Sequence, residues 1–171
     1  MLALAAIVLV TATAVPIAVL ATGGSEVAAA AMAKKRTKVK RHAKKRVTPR
    51  PTLGERAAKF ALGAVGVPYR WGGTSMSGFD CSGLVYWAYR RLGVTVPHNS
   101  YALWSAGRRV SRGGAKPGDV LVFSGLGHVG LYLGHGRMVH APHSGTDVQV
   151  VTLARSNYGS RLVGVRRFTR Q

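Results

Sequence analysis

The pattern of apolar and polar positions divides the chain into three stretches. From Met1 to Ala21 the residues are almost wholly apolar, interrupted only by Thr11, Thr13 and Pro16, and alanine-rich sequence follows from Val27 to Ala33. An apolar run with small residues behind it has the character of a secretory h-region. It is also just long enough to cross a bilayer. No Lys or Arg precedes it. Residues 1–33 are therefore expected to be a signal peptide or a membrane anchor. From Lys34 to Arg50 apolar periodicity vanishes, and from Thr52 onward the pattern is that of a folded domain.

Helical periodicity comes first in that domain. Thr52 and Glu55 form a capping box, and Leu53, Ala57, Phe60 and Ala64 recur on one face. Gly66 and Pro68 are expected to close this helix. Tyr69-Arg70-Trp71-Gly72-Gly73 reads as a turn with aromatic anchors. A second helix is predicted from Cys81 to Leu92, with Asp80 as its N-cap and Gly93 behind its end. Cys81, Leu84, Val85, Ala88 and Leu92 share one stripe of it. A shorter helix fits Ser100 to Ala106. Strand signals then take over at Val120–Phe123, His128–Leu133, Met138–Ala141, Val148–Leu153 and Leu162–Phe168. Helices followed by strands predict an α+β domain over residues 52–171, with a largely antiparallel sheet.

Charge changes the picture of the middle stretch. The chain carries 25 Lys or Arg against 5 Asp or Glu, a formal net charge of +20. Ten of those cations lie between Lys34 and Arg50, with no acid among them, and Pro49 and Pro51 close the block. Such a segment repels itself and stays solvated, so residues 34–51 are read as a basic disordered linker. Its natural partners are anionic: cell-wall polymer, phospholipid headgroups or nucleic acid. Behind an export signal, nucleic acid is the least favoured. Membrane contact would require the N-terminal segment to stay uncleaved. The domain itself is also basic, with fifteen cations against four acids from Pro51 onward, a field that draws acidic substrates.

Candidate chemistry centres on Cys81, the single cysteine. It has no intrachain disulfide partner. At the start of a helix it faces unpaired N–H groups and the positive end of the dipole, which favours a thiolate. A cysteine nucleophile needs a base, usually imidazole, and a group to orient that base. Of the six histidines, His42 lies in the basic run, His98 in a loop and His135 in a hairpin turn. His128 and His140 sit at the edges of predicted strands. A two-residue turn between those strands would pair position 131 with 140 and place the two histidines on opposite faces. A three-residue loop, Gly134-His135-Gly136, would pair 130 with 140 and make them diagonal neighbours on one face. A metal site from His128, His135, His140 and His143 lacks helical spacing and acidic ligands, so neither metal nor other cofactor is expected.

Four segments, taken together, are similar to the NlpC/P60 family of cell-wall cysteine peptidases. They are Tyr69–Gly73, Phe79-Asp80-Cys81-Ser82-Gly83-Leu84, Pro117–Phe123, and His128–Gly134 followed by His140-Ala141. The resemblance runs from about Leu53 to Phe168. It implies a papain-like α+β fold, Cys81 as nucleophile, His128 as general base and His140 as the orienting residue. It further implies that Tyr69 lies beside the active site and that Asp80 and Ser82 help hold the free amino end of a stem peptide. The implied reaction is hydrolysis of peptidoglycan stem peptides, typically between γ-D-glutamyl and the following diamino acid, in a secreted or envelope-bound bacterial protein. The sequence departs from the family pattern after Pro97. His98 stands where Arg is frequent, and Leu103 or Trp104 where Gln is. Asp119 is expected to serve the Pro-Gly-Asp turn. Two alternatives remain: a non-catalytic module binding wall polymer or polyanion on the same fold, and another thiol-dependent amidase or acyltransferase.

Overall fold

The computed structural model describes residues 49–169. The signal or anchor and residues 34–48 of the linker lie outside the described residues. Helix α1 (Leu53–Leu62) opens on the expected capping box: the Glu55 N–H donates to Thr52 Oγ1 at 3.2 Å, and the Thr52 N–H to Glu55 Oε2 at 2.7 Å. Ala57, Ala58 and Ala61 turn inward. The helix ends at Leu62, earlier than Gly66. Beyond it the N–H groups of Ala64 and Val65 reach back three residues, to Ala61 and Leu62, and Gly66 then turns the chain at φ +88°. A two-residue hairpin of β1 (Thr74–Ser75) and β2 (Gly78–Phe79) leads into α2 (Cys81–Arg90). Strands this short carry no alternation, so nothing in the sequence announced them. Helix α3 (Ser100–Ala106) spans the predicted residues, its start capped by Asn99.

The sheet comprises β3 (Arg108–Val110), β4 (Val120–Phe123), β5 (Val129–Gly134), β6 (Arg137–His140), β7 (Gln149–Thr152) and β8 (Leu162–Arg167), with the one-turn helix α4 (Tyr158–Arg161) before β8. The strand order is β3-β8-β4-β5-β6-β7, antiparallel throughout. This is the α+β architecture expected, with β3 as an unforeseen edge strand. Strand β4 is buried on both faces. Val120 and Val122 pack with Leu84, Val85, Ala88 and Tyr89 of α2, while Leu121 and Phe123 pack with Met138 and Val165. Each such side chain contributes roughly 1.5–3 kcal/mol. Asp119 makes the turn as expected, accepting from the Lys116 N–H at 2.7 Å. It also holds the last strand: Nε and Nη2 of Arg167 each donate to its carboxylate at 2.6 Å, with both residues buried.

The β5–β6 hairpin decides where the histidines face. Leu131 pairs with Val139 and Tyr132 with Met138, the register that sets position 130 opposite 140. The chain reaches it differently from the three-residue loop envisaged. Gly134 pairs with Arg137, so the turn itself is two residues, His135-Gly136, both at positive φ as a type I′ turn requires. Leu133 is the extra residue of a bulge, which shifts the register by one. Gly130, opposite His140, leaves room for it. A Cβ there would come within 3.2 Å of the His140 Cβ and 2.9 Å of Met138 Sδ.

Candidate active site

Asp80 places the sulfur. Its carboxylate caps α2, accepting the Gly83 N–H at 2.6 Å, so Cys81 occupies the first helical position. Gly83 lets this helix start press against the β-hairpin, because a Cβ there would collide with the Gly73 carbonyl. The Asp80 N–H donates to that same carbonyl at 3.1 Å. Cys81 is half-buried, and its Sγ lies 3.9 Å from the Gly127 carbonyl, beside the segment that carries His128. Tyr69, Trp71, Asp80, Cys81, Ser82, His98, Tyr101 and His128 all line one cleft of about 480 Å³. A larger groove of about 720 Å³ runs along α1 beside Phe60, Trp87 and Arg91. No thiol, hydroxyl-bearing Ser or Thr, or imidazole lines it, so the chemistry places the site in the smaller cleft.

His128 precedes β5, its carbonyl accepting from the Phe123 N–H, and His140 closes β6. Nε2 of His128 and Nδ1 of His140 are 2.9 Å apart, with the rings nearly perpendicular. For His128 to take a proton on Nδ1, its Nε2 must carry hydrogen and donate to His140. His140 then carries its own hydrogen on Nε2, a buried atom with no hydrogen-bond partner. The ring of Tyr158 stands edge-to-face with His140 at 4.7 Å and leans over His128 at 5.4 Å. Burial, with smaller contributions from Arg161 and His143, holds the His128 pKa down at about 4. Burial, then His128 and His143, brings that of His140 to about 3.

The cleft therefore joins a half-buried thiol at a helix start with a hydrogen-bonded pair of imidazoles on the neighbouring sheet. The NlpC/P60 family profile matches residues 66–167, more than half of the sequence and every residue that lines this cleft. The chain belongs to the NlpC/P60 family. A Mycobacterium tuberculosis protein named "Probable endopeptidase Rv2190c" is 46% identical over 113 residues, covering 64% of this chain and 29% of that protein. The "Gamma-D-glutamyl-L-lysine dipeptidyl-peptidase" of Bacillus subtilis is 38% identical over 109 residues, covering 60% and 37%. An NlpC/P60 family protein from Bacillus cereus has a solved structure that superposes with a TM-score of 0.64 at 33% identity, covering 69% of this chain and 41% of that one. The chain thus spans about a third of the length of these curated relatives.

Within this NlpC/P60 domain, Cys81, His128, His140, Tyr69, Asp80 and Ser82 fall in or directly behind one cleft. Two details differ from the sequence reading. The helix start does not lower the thiol pKa overall. Burial raises it above its ordinary value and the Asp80 charge adds to the rise, while the N–H groups of Val129, Ser82 and Cys81 pull it partway back. With both imidazoles held neutral, the resting pair is thiol and imidazole rather than thiolate and imidazolium. Trp71, expected as a packing anchor, is 86% exposed at the cleft mouth. Two residues escaped the sequence reading of the site. His98 meets the Asp80 carboxylate through Nε2, at 3.2 Å from Oδ1 and 3.1 Å from Oδ2. Tyr158 sits on a one-turn helix whose sequence carries no helical period.

Proposed function

We propose that this NlpC/P60 domain is a cysteine peptidase that hydrolyses amide bonds in peptidoglycan stem peptides, of the γ-D-glutamyl–diamino acid type, in the bacterial cell envelope or outside the cell. The observation that carries this reading is the seating of Cys81 at the start of α2 in one cleft with His128, itself hydrogen-bonded to His140. A binding module has no need of all three. The name of the Bacillus subtilis relative, which specifies a γ-D-glutamyl-L-lysine bond, supports the substrate class. The net charge of +20 suits stem peptides, which carry free carboxylates.

The resting neutral pair sets the order of events. As Sγ attacks the scissile carbonyl, His128 takes the thiol proton on Nδ1, so charge separation and C–S bond formation proceed together. The imidazolium formed is held by its Nε2–H bond to His140. The oxyanion is met by backbone N–H groups at the start of α2, including that of Cys81. His128 returns the proton to the departing amine, leaving a thioester on Cys81. Water, deprotonated by His128, then releases the acid and restores the thiol. Incubation of the full chain and of Cys81→Ala with defined muropeptides, read by mass spectrometry, tests the reading. Wild type yields products split at one amide bond and the variant yields none. Intact muropeptides with both proteins would remove it, and retained wall binding in that case would support the binding module.

A further inference from the structure

No lysine or arginine lines the cleft around Cys81, and its one acid is Asp80. A stem peptide brings free carboxylates. They must be met outside this lining and away from Asp80, which repels them. Helix α4 offers the means. Tyr158 and Arg161 stand three residues apart on its single turn, and so on one face. The Tyr158 ring reaches both imidazoles, yet no residue of α4 lines the cleft, so the helix flanks the histidines from outside it. Its anchor is the end of β4. The Ser124 N–H donates to the Arg161 carbonyl at 2.7 Å, and Arg161 Nε donates to Ser124 Oγ at 3.3 Å. Ser124 follows Phe123, whose N–H donates to the His128 carbonyl at 3.1 Å. The guanidinium is thus tied at its base beside the segment that carries His128. It is exposed, and among the described residues it has no carboxylate partner.

Two electrostatic effects agree with that placement. After burial, the Arg161 charge is the next cause that holds the His128 pKa down. Burial raises the pKa of Tyr158, Arg161 draws it back, and Cys81 raises it again. Helix α4 therefore stands within electrostatic reach of both the imidazole and the sulfur. An arginine whose end nitrogens are unclaimed takes a carboxylate through two parallel hydrogen bonds. We propose that Arg161 forms a carboxylate-binding site on the leaving-group side of Cys81, which selects stem peptides that end at their diamino acid. In such a peptide the free carboxylate and the scissile nitrogen share one carbon. A stem that is amidated there, or extended by a further residue, carries no charge at that point. This inference rests on the peptidase reading above.

The test uses the full chain and a pair of tripeptides, L-Ala-γ-D-Glu-diamino acid with the carboxyl beside the scissile nitrogen either free or amidated. The pair is made with L-Lys and with diaminopimelic acid, and kcat/KM is measured on whichever series wild type cuts faster. Wild type favours the free carboxylate by about fivefold, the upper reach of an exposed ion pair. The preference narrows as ionic strength rises from about 0.01 M to about 1 M. Arg161→Ala brings the ratio near one, chiefly through a higher KM on the free-carboxylate peptide. Arg161→Lys keeps the charge without the fork and falls between. The ratio is taken within one preparation, so partial loss of folded protein cancels. Equal cutting of both peptides by wild type, or an unchanged ratio in Arg161→Ala, overturns this site and leaves the peptidase reading standing. Failure of wild type to cut any of the four peptides takes down both.

Discussion

Acid should unfold this domain through the paired histidines His128 and His140. An imidazole titrates near 6.5 in an unfolded chain, whereas His128 and His140 are held at about 4 and about 3 in the folded one. Each depressed value means the folded state resists a proton that the unfolded state accepts. The stability tied to neutral imidazole is therefore whole above about pH 6.5 and is lost as pH falls toward 4 and 3. At pH 5 the linkage relation puts the loss at about 2 kcal/mol for each site. His140 is fully buried and should deliver most of that figure, whereas His128 is half-buried and should deliver less. A combined loss of about 3 kcal/mol is a large part of the 5–15 kcal/mol typical of a domain. Guanidinium unfolding at pH 7.5 and pH 5.0, on wild type, His140→Gln and the His128→Gln/His140→Gln double variant, measures it. Wild type should lose the most stability on acidification and the double variant the least, with the single variant between. Equal losses in all three proteins would show that the buried imidazoles are not where the protons go.

The same low pKa predicts that activity persists at pH 5, where a base of pKa about 4 is about nine-tenths neutral. An acid limb of kcat/KM near pH 6.5 would contradict the burial of His128. Asp119→Ala strands the Arg167 guanidinium under β8 and should cost about 3–5 kcal/mol in denaturant unfolding. A loss under 1 kcal/mol would mean that water replaces the carboxylate freely. Gly83→Ala drives a methyl group into the Gly73 carbonyl and should lower the melting temperature sharply, by more than about 10 °C, whereas Gly113→Ala, with open space around its Cα, should change it little.

Much of this was legible before the coordinates, for reasons that differ by residue. The start of α2 could be read because Asp80 is a strong cap and the stripe behind Cys81 repeats at helical spacing. Strands β4, β5 and β8 announce themselves as runs rich in Val, Leu, Tyr and Phe, and β6 and β7 as the shorter apolar pairs Met138-Val139 and Val150-Val151. Strand β3 does not: Arg108-Arg109-Val110 has no apolar alternation, and its pairing with β8 is a tertiary fact. His98 was visible as a departure after Pro97. Its contact with Asp80, eighteen residues earlier, depends on how the loop folds back, which no local signal encodes. The neutral thiol was missed because dipole and capping are local properties of the helix, while burial comes from the loop through Gly127 packed over it. The hairpin shows the same division. The histidine spacing correctly demanded the 130–140 register, yet the bulge at Leu133 that delivers it leaves no mark in composition.

That bulge fixes a minimum length. The turn at His135-Gly136 is already the shortest a hairpin uses, and Leu133 is the single residue of slack between His128 and His140. Lengthening the exposed tip leaves every pair from Leu131–Val139 inward untouched. Removing Leu133 consumes the slack and keeps Tyr132–Met138 and Leu131–Val139 paired, whereas removing a second residue slides β6 by one position and turns His140 away from His128. Change at this hairpin is therefore lopsided: it can grow at its tip but can shrink by only one residue. An NlpC/P60 sequence with fewer than eleven positions from its first strand histidine to its second must bring the two imidazoles together in another way.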